Sequence, residues 1–277
     1  MIIKVLHVGL GPIGAAVVRQ VATRKGLQIV GAVDIDPAKA GRGLGAVCGL
    51  RRALGVIVMD DIAKAIKAAR PDIAVICTAS SLRKVLPQFE QVLKLKVPIV
   101  STTEELAYPV KSHRAVAKKI DALARRARVA VLGTGVHPGF AMDALPIALS
   151  ALCAKVEAIE VTRVERAPRH ETPVGLAESV SMIADAMGWR LDLIQDGVGS
   201  VKGKVLVRLR LEFDAGLAEP MTSIRIAGTP PVTATITGGD NDIATASMTV
   251  NSIPKVLTAP PGLRTMKDMV LPSYFGG

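Results

Sequence analysis

Along its first 135 residues the chain alternates short apolar runs with longer stretches whose apolar residues return at helical spacing. The runs are IIKVLHVGL, LQIVGAVD, GVIVMD, DIAVICTA, VPIVSTT and VAVLGTG. Between them lie stretches such as DDIAKAIKAARP and YPVKSHRAVAKKIDALARRAR. Uninterrupted apolar runs suit strands buried on both faces. Their alternation with helices predicts a parallel sheet with right-handed crossovers.

Past Gly135 the pattern changes. HPGFAMDALPIALSAL reads as a loop leading into a helix, VEAIEVTRVER as a strand and PVGLAESVSMIADAMGW as a helix. KVLVRLRLEFD alternates strictly, with Val205, Val207, Leu209, Leu211 and Phe213 on one face. Leu206, Arg208, Arg210, Glu212 and Asp214 lie on the other. Period two of this kind belongs to a sheet with one wet face. MTSIRIAG and VTATITGG follow, separated by the turn residues Thr229, Pro230 and Pro231, and IATASMTVNSIPKVLTA reads as a last helix that packs back on the first half.

Composition narrows the picture. Of 277 residues, 49% are hydrophobic but only 3% aromatic, so the core has to be aliphatic. No apolar stretch is long enough to span a membrane without interruption, and MIIKVLHVG lacks the basic segment of a secretory leader. Cys48, Cys77 and Cys153 are odd in number and widely spaced, which suggests no disulfide framework. The expectation is a soluble cytoplasmic protein with no membrane partner. The formal charge of +11 raises nucleic acid as a partner. The basic residues are scattered, however, and ARRARV closes a predicted helix, where cations suit the dipole. With so few aromatics to stack bases, no nucleic-acid partner is expected, and the charge reads as a solvated surface that attracts anions. Only Asn241 and Asn251 represent asparagine, a scarcity that suits a thermophile.

VGLGPIGAAVV places Gly9, Gly11 and Gly14 in G-x-G-x-x-G spacing between a predicted strand and a predicted helix. That context predicts a dinucleotide site. Gly9 permits the tight turn, Gly11 lets backbone approach a pyrophosphate, and Gly14 lets the helix lie close to the strand. Leu10, Pro12 and Ile13 complete the loop over the helix start. The second strand ends at Asp34, placed to accept hydrogen bonds from ribose hydroxyls. No arginine follows it directly, so NAD is preferred over NADP, although Lys39 and Arg42 on a following helix could reach a 2′-phosphate. CTASS and STTEE end later strands on the same edge, which makes Thr78, Ala79, Ser80, Thr102 and Thr103 candidates for the nicotinamide half. The fold class expected is α/β: an N-terminal Rossmann doubly wound parallel sheet and a second α+β domain of mainly antiparallel sheet. The boundaries expected are 1–136 for dinucleotide binding, joined by a returning segment 244–277, and 137–243 for substrate and assembly.

Two adjacent carboxylates close the fifth strand. Glu104 should face nicotinamide and substrate, where a partly buried acid serves as a general base. Glu105 reads as a helix-start acid. Of four histidines, His7 lies inside the first strand and reads as structural, and His113 lies on a polar helix face and reads as solvated. His137 in GTGVHPGF stands on the functional edge, with roles toward cofactor and substrate. His170 in ERAPRHETP begins a substrate lining. The set is too scattered for a metal site, and none is expected.

GLGPIG, GAVDIDP, STTEELAYP, GTGVHPGF, ESVSMIADAMGW, AGTPPVTATI and VNSIPKVLTAPPGLRTMKDM together resemble the 2,4-diaminopentanoate dehydrogenase family, which includes native amine dehydrogenases and has a dihydrodipicolinate reductase type of fold. The resemblance implies NAD(P)-dependent oxidative deamination of a small amine, and reductive amination of a carbonyl with ammonia in reverse. It implies Glu104 as the central acid, Tyr108 bordering the substrate, and a homodimer. Two alternatives are a dihydrodipicolinate reductase-like imine reductase and a non-catalytic NAD(P)-binding sensor. The latter is motivated by the short segment between VTRVER and GLAESVSMIADAMGW.

Overall fold

Seven strands with no wet face make the first sheet. A computed structural model describes residues 2–166, 175–214, 216–238 and 241–276. The chain starts with β1 (Ile3–Val8), α1 (Pro12–Thr23), β2 (Leu27–Val33), α2 (Leu44–Val47), β3 (Val58–Met59), α3 (Ile62–Ala69), β4 (Ile73–Ile76), α4 (Leu82–Lys94) and β5 (Ile99–Ser101). A 3₁₀ turn at Glu104–Leu106 leads to α5 (Arg114–Ala127) and β6 (Ala130–Gly133). The second half holds α6 (Ala144–Leu149), β7 (Lys155–Glu165), α7 (Leu176–Ala186), β8 (Leu193–Gln195), β9 (Val198–Val201), β10 (Lys204–Phe213), β11 (Met221–Thr229) and β12 (Val232–Thr237). It is followed by α8 (Asn241–Leu257) and β13 (Gly262–Arg264).

The first sheet runs β13-β6-β5-β4-β1-β2-β3, all parallel. Alternation along each strand divides its residues between two layers. Val5, Val75, Val100 and Leu132 pack with α1 and α8, whereas Leu6, Ile76, Ile99 and Val131 pack with α3, α4 and α5. Burial of each such side chain contributes about 1.5–3 kcal/mol, which offsets the ordering of the strand. The order reverses at β1, between β2 and β4. There the crossovers leave toward opposite faces, and a crevice opens at the carboxyl ends of the strands.

The second sheet runs β12-β11-β7-β10-β9-β8. It is mainly antiparallel, as expected, but β7 and β10 pair in parallel, because α7 and the β8–β9 hairpin cross over between them. The alternation in β10 holds: Val207 and Leu209 are buried, while Arg208 and Arg210 face Glu160 on the open side. Residues 241–264 return to the first sheet, where α8 lies on α1 and β13 pairs with β6.

Several local expectations are corrected. The helix predicted from Tyr108 starts only at Arg114, after turns through 109–113. Lys39 and Arg42 lie in turns rather than on a helix. Among the described residues, no helix is long and apolar enough to cross a membrane. The same residues hold no group of three or more His, Cys, Asp or Glu side chains that could bind a metal ion.

Candidate active site

The glycine loop is shaped from beneath. Gly9 takes φ +90°, and a Cβ there would fall 2.6 Å from the Cys77 carbonyl oxygen. A Cβ on Gly14 would lie 1.9 Å from the Gly9 carbonyl oxygen, so only glycine lets α1 approach β1 this closely. His7 supports the same carbonyl. Its Nε2 stands 2.9 Å from Gly9 O, which assigns the proton to that nitrogen. Burial lowers the His7 pKa to about 4, despite that hydrogen bond and the charge of Asp34, so the ring is neutral. Above the loop, α1 begins at Gly11 and Pro12 with no side-chain cap, and a Cβ on Gly11 would meet nothing within 4 Å. Uncapped N–H groups beside open space form a cradle that fits a pyrophosphate.

Two cavities of about 530 Å³ each follow the carboxyl edge and share Gly11, Cys77, Thr78 and Ala79. One lies over β1 and β2. Gly9, Leu10, Asp34, Ile35 and Lys39 line it, with Asp60, Asp61, Lys84, Gln88 and Gln91 beyond. The Asp34 carboxylate accepts from the N–H of Leu10 at 2.7 Å and of Asp36 at 2.9 Å, and from Lys39 Nζ at 3.3 Å. Burial opposes the charge, but these donors outweigh it and hold the Asp34 pKa below the usual carboxylate value. Lys39 is shared with Asp36 at 3.4 Å. Ile35, 84% exposed, offers an apolar surface to a flat ring.

The second cavity lies over β4, β5 and β6. Pro12, Ile13, Ser80, Thr102, Glu104 and His137 line it together with Thr134, Gly135, Pro138, Asp242 and Thr245. Its two loops are laced together. Thr103 Oγ1 donates to Ala79 O at 2.9 Å, Ser101 Oγ donates to Ile76 O at 2.9 Å, and the Glu105 N–H donates to Ser80 O at 3.2 Å. Glu105 itself accepts from the Leu82 N–H at 2.6 Å. It therefore caps α4 rather than its own turn, while its neighbour Glu104 lines the cavity. His113, expected in solvent, places Nε2 3.6 Å from Glu105 and is partly buried. Burial pushes the Cys77 thiol up to about 12, which leaves a protonated, small lining group.

The Gly135–Gly139 wall is held from behind. Asp143 is fully buried and accepts from the Gly139 N–H at 2.8 Å, the Ala144 N–H at 2.6 Å and Ser179 Oγ of α7 at 2.7 Å. Burial pushes its carboxyl above the ordinary range against these donors.

Of the candidates, Gly9, Leu10, Gly11, Pro12, Ile13, Asp34, Thr78, Ala79, Ser80, Thr102, Glu104 and His137 all line this groove. Three do not. Gly14 lies under the loop, as its packing role requires. Thr103 is 1% exposed and spends its hydroxyl on Ala79 and Ser101. Tyr108 is 5% exposed, belongs to the core cluster that includes Val100 and Met182, and hydrogen-bonds Asp185 of α7. His170 lies outside the described residues. Sequence reasoning missed Asp242 and Thr245, since nothing local ties a helix start 140 residues downstream to this edge. It also missed the acids Asp60 and Asp61, although they follow a predicted strand.

Two family models match the chain. The N-terminal model of dihydrodipicolinate reductase matches residues 3–134, and the C-terminal domain model of 2,4-diaminopentanoate dehydrogenase matches residues 214–277. The 2,4-diaminopentanoate dehydrogenase of Acetoanaerobium sticklandii is 28% identical, over 99% of this chain and 95% of its own length. The amine dehydrogenase of Streptomyces virginiae is also 28% identical, over 63% of this chain and 49% of its own length. The solved amine dehydrogenase of Mycobacterium smegmatis superposes with a TM-score of 0.87 at 21% identity, covering 99% and 98% of the two chains.

Proposed function

We propose that this chain, which is similar to 2,4-diaminopentanoate dehydrogenase and to amine dehydrogenases, oxidatively deaminates a small amine with NAD(P) and aminates a ketone or aldehyde with ammonia in reverse. The observation that carries the reading is Glu104 on the wall of a cavity continuous with the glycine groove. The uncapped start of α1 would hold the pyrophosphate, Asp34 the adenosine ribose, and Thr78, Ala79, Ser80, Thr102 and His137 the nicotinamide half. When bound, the cofactor supplies an acceptor for the hydride on the amine-bearing carbon.

The rest of the work falls to the chain. Glu104 takes a proton from the substrate ammonium, which frees the nitrogen lone pair to expel hydride from the neighbouring carbon. Glu104 passes that proton on to solvent, and its restored negative charge then stands beside the iminium cation. Water then adds to that carbon as Glu104 takes its proton; Glu104 returns this proton to nitrogen, and ammonia leaves as the carbinol hydroxyl gives its own proton to Glu104 and the carbonyl forms. In the reverse direction Glu104 deprotonates ammonium.

NAD is the preferred cofactor in this reading. The Asp34 charge repels a 2′-phosphate, and Lys39 is engaged by Asp34 and Asp36. A cytoplasmic homodimer from a thermophile completes the proposal. The imine-reductase alternative ranks second, because a dicarboxylate substrate calls for cations and no lysine or arginine stands among the described residues lining the Glu104 cavity.

The test is NADH consumption with ammonia and a panel of short ketones and aldehydes, and NADH formation with the matching amines. Glu104→Ala is expected to lower kcat by about 10²-fold or more while NADH binding by calorimetry stays unchanged. Wild-type turnover by that variant would remove the proposed mechanism.

A further inference from the structure

Lys39 lines the adenosine-side cavity beside Asp34, and its ammonium is shared. It stands 3.3 Å from Asp34 Oδ2 and 3.4 Å from Asp36 Oδ2. Asp34 lines the cavity with it, whereas Asp36 stands outside that lining. The turns after β2 fix this arrangement. Asp36 Oδ1 accepts from the Ala38 N–H at 2.9 Å, and the Asp36 carbonyl accepts from the N–H groups of Lys39 at 2.9 Å and Ala40 at 3.0 Å. Their far end is tied to β3, where the Gly41 N–H donates to Val58 O at 2.8 Å and the Val58 N–H donates to Arg42 O at 2.9 Å. One Asp36 oxygen is thus committed to backbone, and the other meets the ammonium three residues on. Asp34 has its own donors in the Leu10 and Asp36 N–H groups. A ribose hydroxyl that approaches Asp34 competes with Lys39 for Oδ2, and Asp36 gives the ammonium a place to remain when it does. A 2′-phosphate would instead need that ammonium, because the other charged residues of the described lining are the acids Asp34, Asp60 and Asp61 and one further lysine, Lys84 of α4.

We propose that Lys39 is a latent ligand for a phosphate on the adenosine 2′-oxygen, and that Asp36 is the positioning residue that withholds it, so that one exposed carboxylate outside the cavity sets the choice between the two dinucleotides. The proposal rests on the dinucleotide-site part of the reading above and not on its amine chemistry. The charge of Asp34 opposes a 2′-phosphate by itself, as an acid at the end of the second strand does in general. Asp36 adds a second layer that can be removed. Without its charge, Lys39 is left with the single carboxylate of Asp34, and a phosphomonoester of about −2 charge at pH 7 offers the ammonium more than one carboxylate does.

The experiment is calorimetry with NADH, NADPH, 5′-AMP and 2′,5′-ADP, which needs no amine turnover. Wild type is expected to bind NADH more tightly than NADPH. Asp36→Asn should raise the affinity for NADPH relative to NADH by about tenfold, the worth of one charge-assisted hydrogen bond, and that for 2′,5′-ADP relative to 5′-AMP by a similar factor. Asp36→Glu should keep the wild-type ratios. Asp36→Asn combined with Lys39→Gln should lose the gain, because the gain belongs to the ammonium. Ratios unchanged in Asp36→Asn would overturn the proposal, as would a gain that survives Lys39→Gln or a wild type that binds NADPH at least as tightly as NADH. A wild type that binds neither dinucleotide refutes the dinucleotide site and this role with it. Failure to oxidise any amine, with the ratios as expected, refutes the amine-dehydrogenase reading and leaves this role standing.

Discussion

His7 shows how one residue can carry a fold's response to acid. Above pH 6.5 its ring is neutral both folded and unfolded. Between 6.5 and about 4 the unfolded chain binds a proton and the folded chain does not, so stability falls as the pH is lowered through that window. The loss attributable to this ring reaches roughly 3 kcal/mol at pH 4. Urea unfolding at pH 7 and pH 4 should show it. His7→Gln, which keeps a donor near the Gly9 carbonyl, should flatten that part of the slope while other acid-sensitive groups continue to titrate. At this scale the sequence revealed much. That Gly9, Gly11, Asp34, Glu104 and His137 meet along one groove was legible, because strand ends on one edge of a parallel sheet converge. Thr103 and Tyr108 were misjudged: side chains near a strand end alternate between cavity and core, and the tight turn at Glu104–Leu106 decided which went where.

Among the elements, α7 connects the two halves. Met182 packs with the core beneath the first sheet, while Val180 and Ile183 pack with the second, so two stripes of one helix serve two cores. Ser179 adds the polar tie to Asp143, and through it to the His137 wall. Asp143→Ala would strand two buried N–H groups and a hydroxyl. The expected cost is about 2–4 kcal/mol in urea denaturation, with Ser179→Ala costing less. A variant as stable as wild type would show that the wall stands without this carboxylate. The helical period of this segment was readable from sequence, but its double duty was not, since the apolar residues run nearly all round it. The β8–β9 hairpin went unread despite a clear signal. Asp196-Gly197 is a two-residue turn with both φ positive, of the kind that closes tight hairpins.

For the whole molecule, the order of elements along the first sheet followed from simple alternation, because crossovers between parallel strands obey one handedness. What escaped was the closure of the site by distant segments. Ala246, Val250, Ile253 and Val256 of α8 share a core with Val17 and Val21 of α1, while Asp242 and Thr245 complete the cavity wall. Removal of residues 241–277 should therefore expose the apolar flank of α1 and give a species that binds a hydrophobic dye and elutes as aggregate in size exclusion. A monodisperse truncated chain with native near-UV dichroism would show that α8 is dispensable to the core. The same closure has a temporal side. A chain emerging from the ribosome presents its glycine loop first, yet the far wall of the cavity arrives only after about 230 more residues. During synthesis the adenosine-side groove can form well before the Glu104 cavity has its last wall, so newly made chains pass through a stage at which cofactor capture is separated from the ability to enclose an amine.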